Sequence, residues 1–340
     1  MNGLDFNKEA PLDFIAIGRI GVDLYPNQMN VPMEDTLTFV KSVGGSPANI
    51  AVGMARLGMK TGFVGKVADD AFGRYIINFF NKEGIDTSNV FVDKSGAVNG
   101  ISLTEVKSPN ECGVIMYRDN VADLKISLED INKEYIKSSK IFLISGTALS
   151  KSPSREAVLL AVELARKNKV IVFLDIDYRA AAWSSIAEAS VYYKLIAEKS
   201  DVVIGTREEF DVLEFNVDSG NNDDYKTAKR FFDYNAKIVI VKHGEDGSIA
   251  YTKSGEVYKG GIFRTKFLKT YGAGDSFASA FTYGVLQEWT LDKCLEFGAA
   301  SASIVISRTK CAESMAGAKE IREYIENYKN SAVDDLSEMR

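Results

Sequence analysis

The chain has 340 residues, 46% of them hydrophobic and 26% charged, with a formal net charge of −6. Those proportions belong to a globular chain long enough for one large α/β unit, no apolar run reaches membrane-spanning length, and the negative balance argues against a general nucleic-acid binder. Three scattered cysteines (Cys112, Cys294, Cys311) fit a reducing cytoplasm better than a disulfide frame or zinc site, and a lone His243 excludes a multi-histidine metal centre.

The first dozen residues are mixed and acidic, unlike a signal peptide. Residues 13–18 form a short apolar run ending in glycine, which predicts a buried strand. Asp23 follows five residues later, where α/β proteins place ligands, although a loop acid making a turn bond reads equally well. Residues 36–43 alternate like a half-exposed strand. Gly44-Gly45-Ser46-Pro47-Ala48-Asn49 comes next, with Ser46 as expected N-cap and Pro47 as first helical residue. The glycine pair would let a ligand approach the backbone, and Asn49 could donate to a hydroxyl; a well-capped helix with nothing bound is the alternative.

A strand is expected over 61–67, then a helix capped by Asp70 and ended by Gly84. Residues 100–106 and 113–118 read as a hairpin with one exposed face. With 36–43 it could build a small separate sheet. Arg118, at the end of that hairpin, is either a ligand contact or a solvated edge arginine. Ser127 and Asp130 have capping-box spacing. Beyond residue 140 the pattern is plain strand–helix alternation, with strands over 141–145, 170–174, 201–204 and 238–241. Short apolar strands between amphipathic helices predict a mostly parallel sheet flanked by helices on both faces.

Gly272-Ala273-Gly274-Asp275 stands where a strand-like stretch gives way to a small-residue run of helical spacing. Glycines at a helix N-terminus leave unpaired N–H groups open to a close anion, and a carboxylate there suits a group that deprotonates or orients an attacking hydroxyl. An ordinary turn with Asp275 as helix cap is the competing reading. What weighs against it is company: Asp175, Asp177, Arg179, Glu209, Lys242 and Asp275 all fall at or just past predicted strand ends, which share one edge of a parallel sheet. Glu209 could hold Mg²⁺ directly or through water, or simply match the helix dipole. His243 is given no role. Small residues over 299–303, in a helix expected over 291–306, would admit a flat group such as adenine. A surface helix is expected over 318–328, and the tail 331–340 should fray. There is no Walker-type, dinucleotide or protein-kinase signature.

With both glycine regions located, the sequence resembles the ribokinase (PfkB) family of sugar kinases over roughly 13–328. The resemblance implies an α/β fold in a single domain, with a small β-sheet lid from about 19–43 and 97–120. It implies Asp275 as catalytic base and Gly272, Ala273 and Gly274 as anion hole. Asp23, Gly44, Gly45 and Asn49 would meet the sugar; Gly244 and Gly247 would line the nucleotide-side loop beside Lys242. Thr206 and Glu209 occupy the N-x-x-E positions, with Glu209 linked to Mg²⁺. ATP and Mg²⁺ are the implied cofactors. Similarity is strongest to members acting on keto-deoxy sugar acids, whose carboxylate needs a cation, with Arg118 and Arg179 the candidates. No nucleic-acid or membrane partner is implied; an exposed lid edge offers a homodimer contact.

Three departures stand out. Thr206 replaces the asparagine of N-x-x-E, Ala68 replaces a signature glycine, and Lys269 and Tyr271 replace the first Asp and a Thr in D-T-T-G-A-G-D. That aspartate helps many members hold a monovalent cation, so the Lys269 ammonium is expected to take the cation's place. A non-catalytic sugar or nucleotide sensor on the same scaffold is the rival class, and an intact Gly-Ala-Gly-Asp argues against it. A nucleotide-dependent oxidoreductase lacks its fingerprint.

Overall fold

The computed structural model describes residues 3–108 and 111–338, with 331–338 described by backbone only. The first half of the chain contributes β1 (Leu12–Ile17), β2 (Gly21–Pro26), β3 (Phe39–Gly44), α1 (Ser46–Arg56), β4 (Thr61–Ala68), α2 (Ala71–Lys82), β5 (Asp86–Asp93), β6 (Gly100–Ser108) and β7 (Glu111–Tyr117). Regular alternation follows: α3 (Lys133–Lys137), β8 (Ser139–Ser145), α4 (Ser154–Lys167), β9 (Ile171–Asp175), α5 (Ile186–Ala197), β10 (Val202–Thr206), α6 (Arg207–Glu214), α7 (Asp224–Phe232) and β11 (Ile238–Lys242). The chain then makes β12 (Ser248–Thr252), β13 (Val257–Gly260), α8 (Ala273–Leu286), α9 (Leu291–Ile306) and α10 (Ala318–Glu338).

Nine strands form one sheet in the order β13-β12-β11-β10-β9-β8-β1-β4-β5. From β11 to β5 every pairing is parallel; β12 and β13 add an antiparallel edge. The strands read as unbroken apolar runs because both faces are covered. Side chains alternate between two cores: Phe14, Ala16, Ile141, Leu143, Ile238 and Ile240 pack with α1, α8 and α9. Ile15, Ile17, Phe142, Ile144, Val239 and Val241 pack on the opposite face with α4 and α5. The sheet is thus mostly parallel with helices on both faces, and a separate four-stranded sheet, β3-β2-β6-β7, stands beside it.

Several expectations need correction. Asp23 lies not in a loop but within β2, which pairs antiparallel with β3 and parallel with β6; the glycine-flanked stretch hid a strand whose partners are distant in sequence. Gly45, with φ of +111°, takes the N-cap of α1, and Ser46 is already helical, its hydroxyl engaged elsewhere. Ser127 and Asp130 do form a reciprocal capping box, but around a single 3₁₀ turn. Asp70 accepts from the Gly73 N–H at 2.8 Å and caps α2 as expected. The hairpin connection at Pro109 and Asn110 lies outside the described residues. The last helix, expected over 318–328, runs on to Glu338, since no glycine or proline interrupts it; of the tail expected to fray, Met339 and Arg340 lie outside the described residues. No helix among the described residues is long and apolar enough to cross a membrane.

Candidate active site

The carboxyl ends of β9, β10 and β11 deliver Asp175, Thr206 and Lys242 to one edge of the sheet, Thr206 opposite Lys242 and Asp175 opposite Ile204. The N-terminus of α8 abuts them. Gly272 caps that helix with φ of +79°, a left-handed conformation that side chains resist. A Cβ there would lie 2.7 Å from Cys311 Sγ. The first N–H groups of α8 have no intrahelical partner and the helix dipole points its positive end at the same spot. Lys242 Nζ adds full charge: a Cβ on Gly274 would lie 3.3 Å from it. Gly272, Ala273 and Gly274 thus lie at an open helix N-terminus with the Lys242 side chain on its flank.

Asp275 sits in the first turn of α8, half-buried. Its carboxylate accepts a hydrogen bond from Asn49 Nδ2 at 2.7 Å. Burial raises its pKa above the ordinary carboxylate range, and Asp177 raises it further, while Asn49, Ser46 and Arg179 oppose the shift. Asn49 Oδ1 is buried without a hydrogen-bond partner among the described residues. Orphaned acceptors of that kind are rare and invite a donor such as a hydroxyl.

Asp175, buried at the end of β9, joins the two glycine regions. Its carboxylate accepts from Ser46 Oγ at 2.9 Å, on α1, and lies 3.9 Å from Lys242 Nζ. Burial pushes its pKa up to about 7, with Lys242 pulling the other way and Asp177, Glu209 and Asp275 adding repulsion. Asp177 adopts φ of +42°, unusual for a non-glycine residue. Its carboxylate accepts from Ser145 Oγ at 2.9 Å and Thr147 Oγ1 at 3.3 Å, and pairs with Arg179 at 2.7 Å. The Arg179 side chain remains 43% exposed at the rim. Asp175 and Asp177 enter the sequence reading only as strand-end acids with no individual role, and Ser46 only as an expected N-cap; its bond to Asp175 leaves no local signal.

The other residues expected to meet a sugar pack together. Asp23 is buried, accepts from the Tyr25 hydroxyl at 3.1 Å and is raised in pKa by burial, with Arg19 opposing. A Cβ on Gly44 would stand 2.1 Å from Asp23 Oδ1, and one on Gly45 2.4 Å from the Arg19 carbonyl. The glycine pair thus admits protein groups to the backbone. Arg19, which sequence reading passed over, is buried beside this cluster. Arg118 is ion-paired: Nη2 donates to both carboxylate oxygens of Asp123 at 3.0 Å, and Asp123 also accepts from the Ile20 N–H, one residue from Arg19.

Among the residues expected to face the nucleotide, Thr206 is the N-cap of α6 and accepts from the Glu209 N–H, while Glu209 accepts from the N–H groups of Thr206 at 2.8 Å and Tyr178 at 3.0 Å. The dipole-matching role and the strand-end position coexist. Gly244 opens a short turn into free space, and Gly247 is required by the fold, since a Cβ would meet the Gly260 carbonyl at 2.1 Å. His243 pairs with Asp224 at 2.7 Å. The small residues of α9 pack inward: Ala299 to Ser301 and Ser303 are buried, and Ser301 Oγ meets Ser276 Oγ of α8 at 2.7 Å. They pack against α8, with Ala302 half-buried.

Comparison with known proteins bears on this geometry. The profile described as pfkB family carbohydrate kinase matches residues 12–317. The 5-dehydro-2-deoxygluconokinase of Geobacillus kaustophilus (strain HTA426) is 55% identical over 332 residues, covering 98% of this chain and 99% of that protein. Its counterpart in Geobacillus thermodenitrificans (strain NG80-2) is 57% identical over 330 residues, 97% of each chain. Among solved structures, a fructokinase with bound ATP from Xylella fastidiosa matches with TM-score 0.81 at 22% identity, covering 93% of this chain and 99% of that one. An E. coli protein assigned as ribokinase II, in complex with ATP and Mg²⁺, matches with TM-score 0.83 at 21% identity over the same shares. A carboxylate in the first turn of α8, an ion-paired lysine on its flank, a profile match over nine-tenths of the length and relatives more than half identical lead to one conclusion: the chain belongs to the pfkB family of carbohydrate kinases.

Proposed function

We propose that this kinase transfers the γ-phosphoryl group of ATP to the terminal hydroxyl of 5-dehydro-2-deoxygluconate, giving the 6-phosphate and ADP. The single observation that carries the chemistry is Asp275, held by Asn49 at the mouth of the Gly272–Gly274 cradle. The substrate choice is supported by the names of relatives at 55% and 57% identity.

Asp275 orients the hydroxyl and takes its proton as the oxygen attacks phosphorus; the new O–P bond forms while the bond to the ADP oxygen breaks. Asn49 fixes the carboxylate, and its free Oδ1 accepts from a sugar hydroxyl. The N–H groups of the cradle and the Lys242 ammonium stabilise charge on the transferring group. Arg179, exposed at the rim and tied to Asp177, pairs with the substrate carboxylate; Arg118 is committed to Asp123. Asp23 and the strands β2, β3, β6 and β7 close the sugar side and keep water from the phosphoryl group.

Mg²⁺ fits the donor set. Among the described residues no three side chains form a metal cage, which suits an ion that keeps its waters, and the crowding of Asp175, Asp177, Glu209 and Asp275 calls for a cation beside a triphosphate. Glu209 would hold the ion through water, and the ion would neutralise phosphate charge. A homodimer through the small sheet is part of this reading: β7 is an edge strand exposing Ile115 and Tyr117. Light scattering that returns one chain mass at working concentration would remove the dimer.

ADP release measured with ATP and 5-dehydro-2-deoxygluconate, and separately with 2-keto-3-deoxygluconate, tests the assignment. Turnover only with the second acid moves the substrate; turnover with neither, together with tight ligand binding, makes the chain a sensor.

A further inference from the structure

Residues 261–272, between β13 and α8, contain no helix or strand, yet they carry the residue that caps the anion cradle. Tyr271, immediately before Gly272, is fixed at both ends. Its carbonyl accepts from Lys269 Nζ at 2.6 Å. That ammonium is 1% exposed and also donates to the Val305 carbonyl at 3.4 Å, so it anchors the segment to α9. The Tyr271 hydroxyl reaches in the opposite direction. It donates to the Gly113 carbonyl of β7 at 2.5 Å and approaches the Glu105 carbonyl of β6 at 3.4 Å. Glu105 and Gly113 face each other across the hairpin.

We propose that Tyr271 is a positioning residue that latches the small sheet to the anion cradle, so that the cradle takes its working shape only when the sheet lies over the sugar. The inference rests on the kinase reading above. Its physics is local. A phenol hydrogen bond tolerates only a few tenths of an ångström of stretch. If the hairpin lifts, the hydroxyl loses its acceptor, and the residue next to Gly272 is held by Lys269 alone. Conversely, the hydrogen bond draws the hairpin down when the cradle is ordered by phosphate. One side chain thereby ties exclusion of water to readiness for transfer.

The test is Tyr271→Phe, which keeps the ring and deletes the hydroxyl. ADP release without sugar, as a ratio to release with saturating sugar, should rise about fivefold, the population shift that one net hydrogen bond commands. Amide exchange of β6 and β7 should quicken by about the same factor at unchanged overall melting behaviour. A ratio and an exchange rate both within about twofold of the parent would overturn the latch. Should the variant fail to fold, exchange in the unaltered enzyme decides: ADP alone should slow exchange in β6 and β7, and protection confined to residues 268–276 would overturn the proposal. A parent enzyme that releases no ADP with any sugar acid refutes the kinase reading, and the exchange comparison still judges the latch.

Discussion

Asn49 and Asp275 are 226 positions apart in the chain and joined by a 2.7 Å hydrogen bond. That contact ties the first glycine region to the second and fixes the carboxylate proposed as base. Asp275→Asn should leave the fold and sugar binding near normal while cutting kcat about 10²–10⁴-fold, the range general bases supply. Retention of more than about a tenth of the parent rate would remove the base assignment. Asn49→Ala should lower kcat less and raise the sugar KM, since it loses both the clamp and the unpartnered acceptor.

Arg179 contributes to where the reaction should begin to fail in acid. The Asp275 pKa is raised by burial and by Asp177, and Asn49, Ser46 and, least of the three, Arg179 hold it down. A base must be deprotonated, so activity is lost as pH falls through its pKa. Removing the guanidinium in Arg179→Gln raises that pKa further, and the acid limb of kcat/KM should move to higher pH. A limb that stays put or moves down contradicts the geometry. Sugar-acid KM should rise in the same variant, with ATP KM little changed.

The buried Lys269 ammonium lies against the carbonyls of Tyr271 and Val305, as a bound monovalent cation would. Initial rates should be the same in potassium and in sodium buffers; a strong potassium requirement refutes the substitution of ammonium for ion. Lys269→Met should cost about 1–3 kcal/mol in chemical denaturation, because buried carbonyls lose their donor.

Gly44→Ala places a methyl 2.1 Å from an Asp23 carboxylate oxygen. Overpacking of this kind costs about 1–3 kcal/mol. The displaced carboxylate should raise the sugar KM without altering the ATP KM, which steady-state kinetics at fixed second substrate will show.

Much of this site was legible in residue order alone. The Gly272–Asp275 run announced a helix N-terminus because glycine and small apolar residues have local consequences, and α9 fell on the expected residues 291–306. Acids after strand ends share an edge by the logic of parallel pairing. What stayed hidden depends on distant partners. The residues of β2 were placed in the lid only through the family resemblance, since its strand pairing depends on β3 and on the distant β6. The Ser46 hydroxyl reads as a cap until Asp175, 129 positions on, claims it. Asp177 pairs with Arg179 only because its backbone turns to φ +42°, a conformation its side-chain type does not announce.

The wide spacing of Asn49 and Asp275 also governs what happens during synthesis. At about 5–20 residues per second, ribosomes need roughly 10–45 s to travel from one to the other. Throughout that interval the nascent chain holds Asn49 without its partner, so on the proposed mechanism phosphoryl transfer waits for the C-terminal third of the chain.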